Sequence, residues 1–160
     1  MKKFLILTIL FLLAGCGPVM DENAELAKQF LEDRGYSIKS YEGRNSYSFE
    51  KQDLLNKPHD MVWAVQPVKP DHYIGKEITQ EIFIVKNHPL GKIYGPQIGF
   101  SSKVEVSVFI FNDEIIGGTS FPIGKGITGA PYSLDGLTAE EFLAEDYREW
   151  RAKWDEKYGD

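Results

Sequence analysis

Two His/Asp pairs, His59-Asp60 and Asp71-His72, flank the proline-rich stretch "PHDMVWAVQPVKP" in a 160-residue chain that holds only three histidines. Two imidazoles and two carboxylates could hold Zn²⁺ or a similar ion if the loop folds back on itself. No H-x-x-x-H or other helical spacing forces them together. A metal site at His59, Asp60, Asp71 and His72 therefore stands beside the plainer reading of ordinary loop residues. The third histidine, His88 in "KNHPL", ends an apolar run, where catalytic and binding residues often sit. It has no G-x-S-x-G, no free thiol and no recognisable acid partner to work with. A histidine bonded to the turn before Pro89 is the simpler expectation, and a binding role for His88 the alternative.

Three further patterns fail on context. "SFEK" at 48–51 matches S-x-x-K, but the S-D-N-like and K-T-G-like segments that complete that chemistry are missing. "GKGITG" at 124–129 satisfies G-x-G-x-x-G, yet Ala130-Pro131 follows and the next helical pattern opens only at Thr138. A surface loop is expected there, with no nucleotide and no other cofactor. Glu140 and Glu141 are adjacent at a helix start, where they favour the macrodipole and do not form a glycosidase pair.

The only cysteine, Cys16, stands at the end of a different kind of signal. Met1-Lys2-Lys3 is a short cationic start, and from Phe4 to Leu13 only Thr8 is polar. Ten residues at about 1.5 Å each reach roughly 15 Å, half of a hydrocarbon core of about 30 Å, so the segment reads as a secretory signal and not a span. It closes Leu13-Ala14-Gly15-Cys16, which resembles the bacterial lipoprotein lipobox. The resemblance implies removal of residues 1–15 and lipidation of Cys16. A thioether also disposes of a lone thiol in an oxidising compartment. The expected organisation is a signal peptide over 1–15, a lipidated cysteine and short tether over 16–23, and one domain over 24–160. The expected address is the extracytoplasmic face of the cell membrane, held by at least two acyl chains.

Loss of Lys2 and Lys3 leaves 16 basic against 24 acidic residues, a net charge of -8. That balance excludes a nucleic-acid footprint and favours basic, neutral or cationic partners. About 145 residues, 42% hydrophobic and 13% aromatic over the whole chain, suffice for one packed core.

The elements that must position these residues follow from periodicity. Ala24, Ala27, Phe30 and Leu31 share one face of a helix that Gly35 can end. "YSIKSYEGRNSYSFE" reads as two short strands joined around residues 43–46. "KQDLLNKP" offers one or two helical turns, and a short buried turn or strand is expected around Trp63. Ile82 to Val85 suits a strand covered on both faces. Val104, Val106, Val108 and Ile110 alternate along a strand, Asn112-Asp113 supplies turn chemistry, and residues 114–121 return as its partner. Phe109 and Phe111 fall on the opposite face from the valine row. Either the terminal helix covers them or they form an apolar patch, which makes them candidate binding residues. Thr138-x-x-Glu141 is a capping box opening a helical region to about Tyr158. Within it Leu143, Tyr147, Trp150, Trp154 and Tyr158 share a face that packs on a sheet. The fold class is α+β: a single domain with an antiparallel sheet flanked by an N-terminal and a C-terminal helix.

"YIGK" at 73–76, "FIVKNHPL" at 83–90, "IGGTSFP" at 116–122, "YSLDG" at 132–136 and "WRAKW" at 150–154 together resemble a family of small uncharacterised lipoproteins of Bacillus-type Gram-positive bacteria. The resemblance implies an envelope address and a single α+β domain and carries over no catalytic residue. With no complete catalytic constellation, the expected function is a non-enzymatic binding or interaction module with an envelope protein as partner. A small envelope hydrolase and a metal or small-molecule receptor remain the alternatives.

Overall fold

A computed structural model describes residues 17–97 and 103–159. The signal segment and Cys16 lie outside the described residues. The first helix, α1 (Glu22–Asp33), starts two residues earlier than the sequence pattern suggested. Asp21 takes the N-cap, its carboxylate accepting from the Ala24 N–H at 3.1 Å, and Glu22 and Glu25 fill the acidic first turn. The chain leaves the helix through Gly35 at φ 82°, a left-handed conformation that glycine adopts without a Cβ penalty. Ala24, Ala27 and Leu31 are buried.

Five strands form one antiparallel sheet in sequential order: β1 (Ser37–Tyr47), β2 (Ile78–Lys86), β3 (Val104–Phe111), β4 (Glu114–Pro122) and β5 (Tyr132–Ser133). The β3–β4 connection is a two-residue turn with Asn112 at φ 51° and Asp113 at φ 62°. Those are the angles of the hairpin turn that matches strand twist. The two short strands expected over residues 37–47 are one strand instead. Register shifts at Ile38/Ser40 and Tyr41/Gly43 leave Lys39 and Glu42 as extra, bulged residues, and Gly43, at φ 109°, pairs with Ile82 instead of forming a turn. Arg44 follows on the ladder directly opposite Glu81.

Each face of the sheet carries its own core. On one side Phe83, Val85, Val104, Val106, Val108 and Ile110 pack under Ala27 and Leu31 of α1, with Leu90 and Leu134. On the other, Ile78, Phe109 and Ile116 meet Phe49, Leu54, Trp63 and Tyr73, together with Trp150, Trp154 and Tyr158 of the terminal helix α5 (Tyr147–Tyr158). Ile82 and Ile84 are only half-buried, so β2 is fully covered on the Phe83 side alone, contrary to the two-faced burial that its apolar run suggested.

The segment between β1 and β2 holds a 3-10 turn (Lys51–Leu55) and one helical turn, α2 (His59–Trp63), so that of the turn and the strand expected around the buried Trp63 the turn is the one formed. A second one-turn helix, α3 (Pro89–Ile93), follows β2. The capping box forms as expected, with Glu141 N–H donating to Thr138 and Thr138 N–H donating to Glu141. It opens only α4 (Ala139–Leu143). Ala144 turns left-handed at φ 55° and Asp146 caps α5 afresh, so the helical region expected up to Tyr158 is two helices.

Candidate functional site

The two His/Asp pairs do not converge. Among the described residues, no group of three or more His, Cys, Asp or Glu side chains is placed to hold a metal ion. His59 stacks on Tyr47, and its Nδ1 lies 2.8 Å from the Tyr47 hydroxyl. His72 meets the rings of Tyr73 and Phe111 edge-on. The two acids serve a different purpose, because both fasten α5 to the body of the domain. Asp60, 3% exposed, pairs with Arg151 and accepts from the Tyr147 hydroxyl at 3.3 Å and the Met61 N–H at 2.8 Å. Arg151 also donates to the Leu55 carbonyl at 2.6 Å. Asp71 accepts from Lys157 at 2.7 Å and Tyr158 at 2.8 Å. Partial burial pushes the Asp71 carboxyl up, but these bonds outweigh it and hold the group below its ordinary range.

His88 is 1% exposed and is also spent on structure. As N-cap of α3 its Nδ1 accepts from the Leu90 N–H at 3.2 Å, which leaves the proton on Nε2 to donate to the Leu134 carbonyl at 2.9 Å. Burial lowers its pKa, against weaker opposing pulls from the Leu134 carbonyl and Asp135. The neutral imidazole thus ties the end of β2 to the loop after β5, which is the turn-bonded role anticipated for it. Phe109, 1% exposed, lies inside the second core against Tyr47 and offers no surface for binding. Phe111 is half-buried, edge-on to Tyr73, with the Lys76 ammonium 5.3 Å from its ring centre. Their immediate cover is the 49–74 segment, and α5 packs behind it, the Trp154 indole donating to the Leu54 carbonyl at 2.7 Å.

"GKGITG" lies in the loop between β4 and β5 and opens no helix. Ser48 sits past the end of β1, so Ser48 and Lys51 do not share a helical turn. Neither motif has the backbone its chemistry requires.

Among the hollows of the described residues, two adjoin. One, of about 310 Å³, lies between α1 and the outer side of β4; Phe30, Val65, Ile115, Leu134 and Phe142 line it, and Arg34 and Asp135 form a 3.5 Å ion pair among its lining groups. The Arg34 guanidinium rests on the Phe30 ring, 3.6 Å from its centre. The other, of about 350 Å³, runs along α5, where Trp150 and Trp154 meet Lys69, Lys153 and Lys157. Both are walled by Pro67 and Val68, so the two form one groove divided by that dipeptide. Size and apolar lining suit a ligand or an inserted side chain.

Two features of the sequence were not singled out for a role, and the first explains why the groove exists. β5 pairs only with Thr119 and Ser120, so the edge of β4 beyond them lacks a neighbouring strand. Gln66 replaces it: its Oε1 accepts from the Gly118 N–H at 2.7 Å and its Nε2 donates to the Gly118 carbonyl at 3.1 Å. Gly117 and Gly118 permit that approach. A Cβ on Gly117 would lie 2.3 Å from Gln66 Oε1, and one on Gly118 would lie 2.2 Å from the Ser107 carbonyl oxygen. Adjacent glycines in a strand mark a close approach of this kind. The second overlooked feature is Glu81, charged and fully buried in mid-strand. It accepts from Tyr41 at 2.7 Å and from the Arg44 guanidinium at 2.7 and 2.5 Å, while Arg44 reaches both oxygens of Asp21 at 2.6 Å. Burial first, and then Glu81, push the Tyr41 phenol up to about 12.

No family model matches the chain, no curated protein matches its sequence and no solved structure matches its fold. Among the described residues no helix is long and apolar enough to cross a membrane.

Proposed function

We propose that this protein is a lipid-anchored, extracytoplasmic lipoprotein whose single α+β domain acts as a non-enzymatic binding module. The observation that carries the reading is the divided groove around Pro67 and Val68, set beside the full structural employment of His88, Asp60, Asp71 and Glu81. With these histidines and acids committed to packing and helix docking, the recognition surface we assign is the aromatic and apolar groove, where two hollows adjoin. The anchor rests on the lipobox and the cationic, apolar segment before it. The resemblance of several motifs to those of Bacillus-type lipoproteins points to the same address. The partner is an envelope component that seats an apolar group beside Val68. Arg34, Lys153 and Lys157 in the groove lining are each paired with a carboxylate, Asp135, Glu145 and Asp71, so the charge there is nearly balanced and the aromatic and apolar groups carry the recognition.

The test places a photo-crosslinking residue at Val68 in the intact protein in cells and identifies what is captured. One envelope component captured from Val68, and not from a control position such as Asn45 on β1, is the expected result. Hydrolysis of a wall, lipid or peptide substrate by the chain without residues 1–16, abolished by alanine at His59, His72 or His88, would replace the binding reading with the hydrolase alternative.

A further inference from the structure

The residues that follow Cys16 are strapped to the domain. Pro18 lies against Gly43 of β1, where a Cβ would come within 3.7 Å of it. Met20 packs on the first core, and Asp21 is held by Arg44, which is itself held by the buried Glu81. Of the seven or so residues that the sequence offers as a leash, only Gly17 separates Cys16 from this strap, about 7 Å of extended chain. Between Pro18 and the half-buried Met20, Val19 is 91% exposed, the most exposed large apolar side chain among the described residues.

We infer that the anchor holds the domain in one orientation: the β1 edge and Val19 lie against the headgroup layer of the bilayer that carries Cys16, and the groove opens on the far side. The inference rests on the lipid-anchor reading above and adds to it a membrane-facing surface. The β4 wall of the groove is separated from β1 by three interstrand spacings, about 14 Å. A free leash of seven residues would have an end-to-end distance of about 15 Å and would let the domain tumble, whereas a strap of about 7 Å does not. The occupant of this face is the bilayer surface because the covalently bound lipid cannot leave it. Val19 is the apolar contact that the interface can accept. Arg44 bridges Asp21 and the buried Glu81 and so offsets part of the acidic charge beside Val19.

The test uses the processed, lipidated protein in phosphatidylcholine vesicles containing a nitroxide-headgroup lipid. With Cys16 blocked by its lipid, Asn45→Cys on β1 and Lys69→Cys at the groove each provide one thiol for a fluorophore; both positions are exposed. Mass spectrometry of the N-terminal peptide establishes the lipid on Cys16. The expected result is quenching several-fold stronger at position 45 than at 69, and a ratio near one after insertion of about ten Gly/Ser residues between Gly17 and Pro18, which restores a free leash. Equal quenching in the lipidated protein, or a ratio that the insertion leaves unchanged, overturns the fixed orientation while the anchor stands. An unmodified Cys16 overturns the anchor and the orientation with it.

Discussion

Removal of Arg44 is the sharpest test of how the strap and the sheet are held. Glu81 is fully buried, and its carboxylate has two partners, Tyr41 and Arg44. Arg44→Ala leaves a buried charge with one neutral donor, a change that costs about 3–5 kcal/mol in comparable sites. The Arg44 side chain is 40% exposed, so water can enter where the guanidinium was and the lower end, about 3 kcal/mol, applies. Loss of the exposed bond to Asp21 adds at most about 1 kcal/mol. With an m value of about 1.5 kcal/mol/M, the urea midpoint falls by about 2 M. Unfolding is followed by fluorescence of Trp63, Trp150 and Trp154 and by far-UV circular dichroism, whose agreement establishes a two-state transition. Glu81→Leu in the Arg44→Ala background should recover about half of the loss, since an apolar side chain needs no partner there. A midpoint shift under about 0.3 M for Arg44→Ala, or a double variant that loses the sum of both single effects, refutes the account of Glu81 as a charge that depends on Arg44.

The remaining predictions follow from single sites. Burial keeps His88 neutral in the folded chain, so its folded pKa lies below the unfolded value of about 6.5, and the unfolded state binds more protons as pH falls through that point. Stability should therefore decline from pH 7 to pH 5, and His88→Asn should remove its share of that slope; superimposable profiles for the two proteins rule out the neutral clamp. Gly118→Ala places a methyl 2.2 Å from the Ser107 carbonyl oxygen and 2.8 Å from Leu134, and should cost about 3 kcal/mol or prevent folding. Gly126→Ala, in "GKGITG" with nothing within 4 Å, should cost only the left-handed backbone penalty of about 1 kcal/mol, measured by the same urea titration. Ala144→Gly relieves φ 55° at the end of α4 and should raise the thermal midpoint by a few degrees, equivalent to about 1 kcal/mol; a lower midpoint contradicts the left-handed cap.

Much of the fold was legible in the residues because local rules acted alone. The alternation of Val104, Val106 and Val108, the Asn112-Asp113 turn and the Thr138–Glu141 capping box each depend on neighbours within a few positions, and each forms as read. Errors arose where a distant partner overrode a local signal. Gly43 has turn chemistry, yet it and Arg44 pair with Ile82 and with Glu81, the latter 37 residues from Arg44, and the expected turn is a bulged strand. Leu143 to Tyr158 keep a common apolar face, yet Ala144 breaks the helix so that Asp60 and Asp71 can reach Arg151 and Lys157.

By itself the sequence determined the class and the address to be tested. Periods of two and of 3.6 set a single α+β domain, and a cationic, apolar segment ending at Cys16 set the anchor hypothesis. Only the tertiary structure decided what the reactive-looking residues are for. His88, Asp60 and Asp71 make their bonds with residues 46, 91 and 86 positions away, a pairing no local pattern encodes. It likewise decided that the leash is a strap and that a groove opens beside β4, because both depend on which surfaces the folded chain leaves uncovered.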